Sequence, residues 1–116
     1  MNASRLENYL KSYPSAVGFY EGNFVAFCFC TYFTDDIVEI ANFFVSEEFR
    51  SQGVGSEILG FLEPELAKRW NSVILSNSML AKGIPNKKPA RPFYLKNGYE
   101  LLWATGDTDV FAKRLG

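Results

Sequence analysis

The sequence predicts a mixed α/β (α+β) domain whose sheet is mostly antiparallel, with one main crossover helix and a short second helix. Three observations predict it. Residues 16 to 45 hold three runs rich in aromatic and β-branched residues, separated by turn signals. An apolar stripe with helical spacing follows, then a short apolar strand, and this order implies a parallel pair joined by a right-handed crossover. A second short helical segment leads into a closing hairpin. At 116 residues the chain is one domain, long enough to bury a core without staples.

The first element is expected to be a helix. Ser4-Arg5-Leu6-Glu7 has the form of a capping box, which predicts a short helix from about Arg5 to Lys11, ended by Tyr13-Pro14. Ala16 to Tyr20 and Phe24 to Phe33 read as strands joined by a turn at Glu21-Gly22-Asn23. Thr34-Asp35-Asp36 makes the next turn, and Ile37 to Val45 a third strand, so the three form an antiparallel meander.

The main helix is expected from about Gly53 to Trp70, with Ile58, Leu59, Leu62, Leu66 and Trp70 on one stripe. Pro64 removes one hydrogen bond and crowds the Gly60 carbonyl, at ~3 kcal/mol in an ordinary helix. That predicts a kink, or two helices in succession. Ser72 to Leu75 reads as a strand and Met79 to Lys88 as a polar loop. Ala90 to Asn97 forms a short helix capped by Gly98. Tyr99 to Ala104 and Val110 to Lys113 pair across Gly106-Asp107.

Composition removes several classes of function. A net charge of −1 gives no nucleic-acid footprint. No apolar run is long enough to span a membrane, and no basic-then-apolar start marks a secretory signal. Histidine is absent, which excludes Ser-His-Asp and Cys-His catalysis and removes the commonest metal ligand. Acid–base work falls to carboxylates, Tyr, Lys, Cys or water. Cys28 and Cys30 are two apart in a strand and face one side, so reduced core thiols are expected. Without a histidine neither is expected to carry an acyl group. No metal site is expected, and reduced thiols fit a cytoplasmic location.

Arg50-Ser51-Gln52-Gly53-Val54-Gly55-Ser56 links the third strand to the main helix. A Gly-rich turn entering a helix presents unpaired N–H groups and the positive end of the helix dipole, a natural seat for a phosphate. Gly53 and Gly55 are expected to clear Cβ atoms from the ligand's path. Position 58 is Ile, so Gly-x-Gly-x-x-Gly is not completed, and no Gly-Lys-Ser/Thr follows. Dinucleotide folds and P-loops are thereby excluded.

Two motifs in this order resemble the GNAT superfamily of acyl-CoA-dependent N-acetyltransferases. One is Arg50-Ser51-Gln52-Gly53-Val54-Gly55, preceded by Phe43-Phe44-Val45; the other is Phe93-Tyr94-Leu95-Lys96-Asn97-Gly98-Tyr99. The resemblance covers about Ala16 to Lys113. It implies acetyl-CoA as co-substrate and a primary amine as acceptor, with direct transfer between them. By similarity the pyrophosphate rests on backbone amides from Gln52 to Ser56, and pantetheine pairs with the strand around Phe44 and Val45. Glu39 would be the general base and Tyr94 would assist the leaving thiolate. Asn77, or else Asn86, matches the family's pantetheine-contacting Asn.

Other residues have two readings each. Arg50 reaches phosphate or is a surface residue. Lys82, Lys87, Lys88 and Arg91 meet the 3′-phosphate or form a solvated loop. Asp35, Asp36, Glu47 and Glu48 form an acidic group that attracts a cationic amine, or are plain turn residues. The region before the first hairpin is shorter than in many relatives. That leaves the acceptor side open or completed by a homodimer, and it raises a second reading: a non-catalytic acyl-CoA-binding or protein-interaction module.

Overall fold

The computed structural model describes residues 5–7, 14–50, 52–78 and 90–116. Four antiparallel strands lead: β1 (Arg5–Glu7), β2 (Ser15–Tyr20), β3 (Asn23–Tyr32) and β4 (Ile37–Val45). The turn between β2 and β3 places Glu21 at φ 50° and Gly22 at φ 81°. Two left-handed residues in succession match the right-handed twist of a hairpin. A 3-10 turn (Glu47–Phe49) follows β4, and α1 (Val54–Leu66) crosses to β5 (Ser72–Ser78), parallel to β4. The chain closes through α2 (Arg91–Lys96), β6 (Glu100–Ala104) and β7 (Thr108–Arg114), with β7 inserted between β5 and β6. One sheet results, in the order β1-β2-β3-β4-β5-β7-β6.

The expected N-terminal helix is not formed where the structure describes it. Arg5–Glu7 is an edge strand, paired as Arg5↔Phe19, Leu6↔Gly18 and Glu7↔Val17. A capping box stabilises only the first turn, and a short helix must still overcome its nucleation cost. Strand pairing along β2 wins that competition. The rest of the expected helix, residues 8–11, lies outside the described residues, as does the loop expected over Met79 to Lys88, apart from its place between β5 and α2.

Both helices share one face of the sheet. Alternation in β3 sends Ala26, Cys28 and Cys30 into the core, where Val38 and Ile40 of β4 join them. The stripe Val54, Ile58, Leu59, Leu62 and Leu66 of α1 packs on these residues. The single helix runs through Pro64, so the alternative of two successive helices is not realised. Pro64 lies in the last turn, where few bonds follow it, and Gly60 is exposed, leaving its carbonyl to solvent. The regular helix ends at Leu66, yet Trp70 N–H donates to Leu66 O at 2.9 Å, and Trp70 stays buried on the stripe.

Tyr94 and Tyr99 extend the same core from α2. Gly98, at φ 88°, closes that helix: Tyr99 N–H donates to Tyr94 O (2.9 Å) and Gly98 N–H to Leu95 O (3.1 Å). This is the paired-bond C-terminal motif that favours glycine. The reduced thiols are as expected, with Cys28 and Cys30 free and buried.

Candidate active site

A gap in the sheet defines the site. β4 and β5 pair over three positions only, Ile37↔Ser72, Val38↔Val73 and Glu39↔Ile74. Beyond them β5 stays on β7 as far as Ser78↔Thr108. β4 instead bends away. Opposite β3, Phe29 meets Asn42 while Cys30 meets Ile40, so Ala41 is an extra residue on β4. Such a bulge kinks its strand and sharpens the local twist. From Ile40 to Val45 the outer edge of β4 therefore has no strand partner among the described residues.

At the far end of that edge stands the start of α1. Gly53 caps it at φ 86°, a left-handed conformation that a Cβ would strain, and it contributes no side-chain cap. The first intrahelical bond is Glu57 N–H to Gly53 O, 3.0 Å. The amides of Val54, Gly55 and Ser56 come before it and have no acceptor within the helix. Arg50 Nε donates to Val45 O (2.9 Å) and Gln52 Nε2 to Glu48 O (2.7 Å), which ties the loop to the end of β4 and to the 3-10 turn. Ser51 lies outside the described residues.

Each glycine has a reason within the protein itself. Nothing lies within 4 Å of a Cβ built on Gly53, so within the protein it is the left-handed backbone angle that demands glycine there. A Cβ on Gly55 would stand 2.9 Å from Cε1 and Cζ of Phe93. The second glycine thus makes room for α2, whose Phe93 ring also meets Phe43 of β4 edge-on at 5.8 Å.

Glu39 and Tyr94 lie on opposite faces of the sheet. Glu39 alternates with the buried Val38 and Ile40, so it faces away from the helices, beside Thr31 and Ile74, at the last position where β4 and β5 still pair. Tyr94 is 7% exposed on the helical face, against Phe111 (5.0 Å), Phe93 (5.2 Å) and Tyr99 (5.6 Å). Burial raises its pKa from 10.0 to about 12, with the Cys28 thiol adding to the effect. Among the described residues its hydroxyl has no hydrogen-bond partner. Asn77, on β5 where the gap is open, has a buried Nδ2 that lacks a partner among the described residues.

Sequence reasoning missed two long-range networks. Arg91 makes a two-pronged bond to the fully buried Asp109 of β7 (Nε to Oδ2 3.0 Å, Nη2 to Oδ1 2.8 Å). That bond lowers the Asp109 pKa and raises that of Arg91. Arg91 thus anchors the start of α2 to β7, opposite both readings offered for it. Asn77 pairs with Asp109 in the β5–β7 register, so the anchor sits beside the gap. The second network joins Glu63 to Lys113 (2.7 Å) and to the Tyr99 hydroxyl (2.8 Å), with Lys113 also donating to Asn97 O (2.8 Å). Burial, then the Glu63 charge, pushes the Tyr99 pKa upward. Separations of 18 and 50 residues leave no local signal for either pair.

The acidic group does not assemble. Asp35 and Asp36 precede β4 while Glu47 and Glu48 follow it, and nine strand residues hold the pairs ~30 Å apart. Lys82, Lys87, Lys88 and Asn86 lie outside the described residues. Two open depressions, ≈ 370 and ≈ 320 Å³, surround Lys113 and Arg114 near the Ser72 end of β5. There β4 and β5 are still joined, so neither depression belongs to the gap.

A family model described as an acetyltransferase (GNAT) domain matches residues 7–101. The chain belongs to the GNAT acetyltransferase family. This GNAT domain has the fold of several solved structures. An aminoglycoside 6′-N-acetyltransferase complexed with coenzyme A superposes with a TM-score of 0.77 at 16% identity, covering 91% of this chain and 74% of that one. A GNAT family acetyltransferase from Elizabethkingia anophelis with acetyl-CoA bound gives 0.70 at 17%, covering 91% and 78%. The ribosomal-protein-S18-alanine N-acetyltransferase from Escherichia coli gives 0.71 at 20%, covering 94% and 73%. No curated protein sequence matches. Membership supports acyl-CoA-dependent acetyl transfer in general terms. No helix among the described residues is long and apolar enough to cross a membrane.

Proposed function

We propose that this GNAT domain transfers an acetyl group from acetyl-CoA to a primary amine, by direct attack of the neutral amine on the thioester carbonyl. One coincidence carries the proposal: the unpaired edge of β4 ends at an uncapped helix start. A CoA molecule presents the matching chemistry, a pantetheine with two amides followed by a pyrophosphate. An extended amide chain pairs with a strand edge as a peptide does. The amides around Phe44 and Val45 suit it, and those of Gly53, Val54, Gly55 and Ser56 suit the pyrophosphate. Gln52 and Arg50 flank the same turn, and Ser51 is assigned to the seat from its place in the sequence alone. Asn77 Nδ2, without a partner among the described residues, is a donor available to a pantetheine carbonyl.

Glu39 is the group we assign to take the amine's proton. It lies on the face opposite the helices, at the apex of the gap, so the amine and the coenzyme approach from different sides. Tyr94 is assigned to the departing sulfur. A thiolate of ordinary pKa (~8.5) does not take a proton readily from a phenol at about 12; the step is uphill by roughly 5 kcal/mol. Tyr94 therefore acts as a hydrogen-bond donor to the thiolate, which leaves as the anion and takes its proton from the acid component of the buffered solvent after release. The free thiols of Cys28 and Cys30 accord with a reducing cytoplasm.

Calorimetric titration with acetyl-CoA and CoA, then a thiol-release assay over a panel of amines, tests the proposal. Saturable binding and amine-dependent release of thiol are expected. Binding without turnover on any amine would leave only an acyl-CoA-binding module, and absence of binding would remove the proposal altogether.

A further inference from the structure

The face of the sheet opposite the helices carries a run of phenylalanine rings that leads to the apex of the gap. Phe27 stacks on Phe29 (4.7 Å, interplanar 20°), on Phe44 (5.5 Å, 27°) and on Phe24 (5.7 Å, 29°). Phe24 is 50% exposed and Phe44 41% exposed. Rings standing open on a sheet are unfavourable unless something covers them in use, and a contiguous apolar patch marks a binding surface. Phe29 is followed on its own face by Thr31, the cross-strand partner of Glu39, and Asn42 is its own partner. The apolar surface and the carboxylate are therefore consecutive positions on one face.

We infer that these rings hold the body of the acceptor, which is a primary amine carried on an aryl or alkyl framework and not a polyhydroxylated or peptide amine. This rests on the acetyltransfer reading and names the substrate class of the same site. Among the described residues the two helices occupy the other face, which leaves the phenylalanine side as the amine's approach to the gap. A second copy of the chain seated on these rings would seal that route, which favours a small substrate as the occupant. Charge agrees: Glu39 stands where an ammonium would arrive, and the rings along the approach attract a cation through their faces while burying its carbon framework. A sugar-borne amine would instead leave its hydroxyls against phenyl rings without partners.

The test is steady-state acetylation of phenethylamine, hexylamine, kanamycin and an alanine-initiated peptide by the full chain, with acetyl-CoA affinity measured in the same samples. Phenethylamine and hexylamine are expected to show KM values at least ~10-fold below those of the polar amines. Phe29→Ser should raise the phenethylamine KM by about 10-fold with kcat and acetyl-CoA affinity retained, while Phe29→Leu should restore the hexylamine KM. Thermal melts of both variants establish that they are folded. Preference for kanamycin or the peptide overturns the inference while leaving acetyltransfer intact. An unchanged KM in a folded Phe29→Ser does the same, as does a sedimenting dimer that Phe29→Ser dissociates. Should acetyl-CoA not bind, the underlying reading fails, and phenethylamine binding followed by NMR without coenzyme still decides the aryl site.

Discussion

Gly55→Ala sets two effects of known size against each other. Alanine is the better helix former by ~1 kcal/mol in a helix interior, which alone would stabilise α1. The new Cβ, however, would lie 2.9 Å from two atoms of the Phe93 ring. Carbon–carbon contacts settle at ~3.5–4.0 Å, so the ring must withdraw by ~0.6–1 Å. It is not free to do so, since Phe43 stands 5.8 Å from it and Tyr94 5.2 Å, both edge-on. Overpacking of this kind costs ~1–3 kcal/mol. The net expectation is a loss of about 1 kcal/mol, or a Tm roughly 4 °C lower in a domain of this size. Thermal denaturation of the four members of a double-mutant cycle with Phe93→Leu measures it. A shortened side chain at 93 leaves space for the methyl group, so the cycle should show a coupling of ~1 kcal/mol or more. A higher Tm for Gly55→Ala alone, or additivity within ~0.3 kcal/mol, would refute the steric account of the second glycine.

Gly53→Ala should destabilise by ~1–2 kcal/mol through its left-handed φ, and Gly53→Asn by less, with acetyl-CoA affinity falling in the same order by calorimetry. Glu39→Gln should lower kcat/KM by ~10²-fold or more, with acetyl-CoA affinity kept. Tyr94→Phe should lower kcat with little change in the KM for acetyl-CoA. In ultraviolet difference titration, the tyrosinate signal lost in this variant should appear near 12, not near 10. Asp109 has a folded pKa below its ordinary 3.8, so its stabilising effect is complete above that value and is lost as pH falls through the folded pKa. The Tm advantage of the parent over Asp109→Asn should therefore be constant from pH 7 to about 5 and shrink below pH 4.

Strands β2, β3 and β4 were legible because aromatic and β-branched runs bounded by turn residues need no distant partner to be seen. The Phe93-Tyr94 and Gly53-Val54-Gly55 motifs were legible for a related reason, since each is contiguous. What failed depended on distant residues. Arg5–Glu7 carries a sound local helix signal, but its state is decided by the edge of β2. Arg91 reads as one more loop cation until β7 brings Asp109 beneath it. Gly55 reads as a ligand-facing glycine until α2 folds back and fills the space with Phe93.

The extra residue Ala41 joins fold to site. Side chains alternate along a strand, so one inserted residue reverses the faces of everything beyond it. Before the bulge Ile40 points to the helices and Glu39 away; after it Phe43 and Val45 point to the helices while Asn42 and Phe44 point away. Were Ala41 instead to take a regular strand position, with no bulge, Phe44 would enter the core and Phe43 would leave it. The edge contact of Phe43 with Phe93 would then be lost, and with it a link between β4 and the helix that carries Tyr94. The open-face stack would lose Phe44 as well. The same insertion bends β4 from β5 after Glu39 and so opens the gap. The bulge at Ala41 thus opens the site while keeping the α2 contact and the aromatic face in place, and an Ala41 deletion should leave those two faces as they are but straighten β4 toward β5 and narrow the gap.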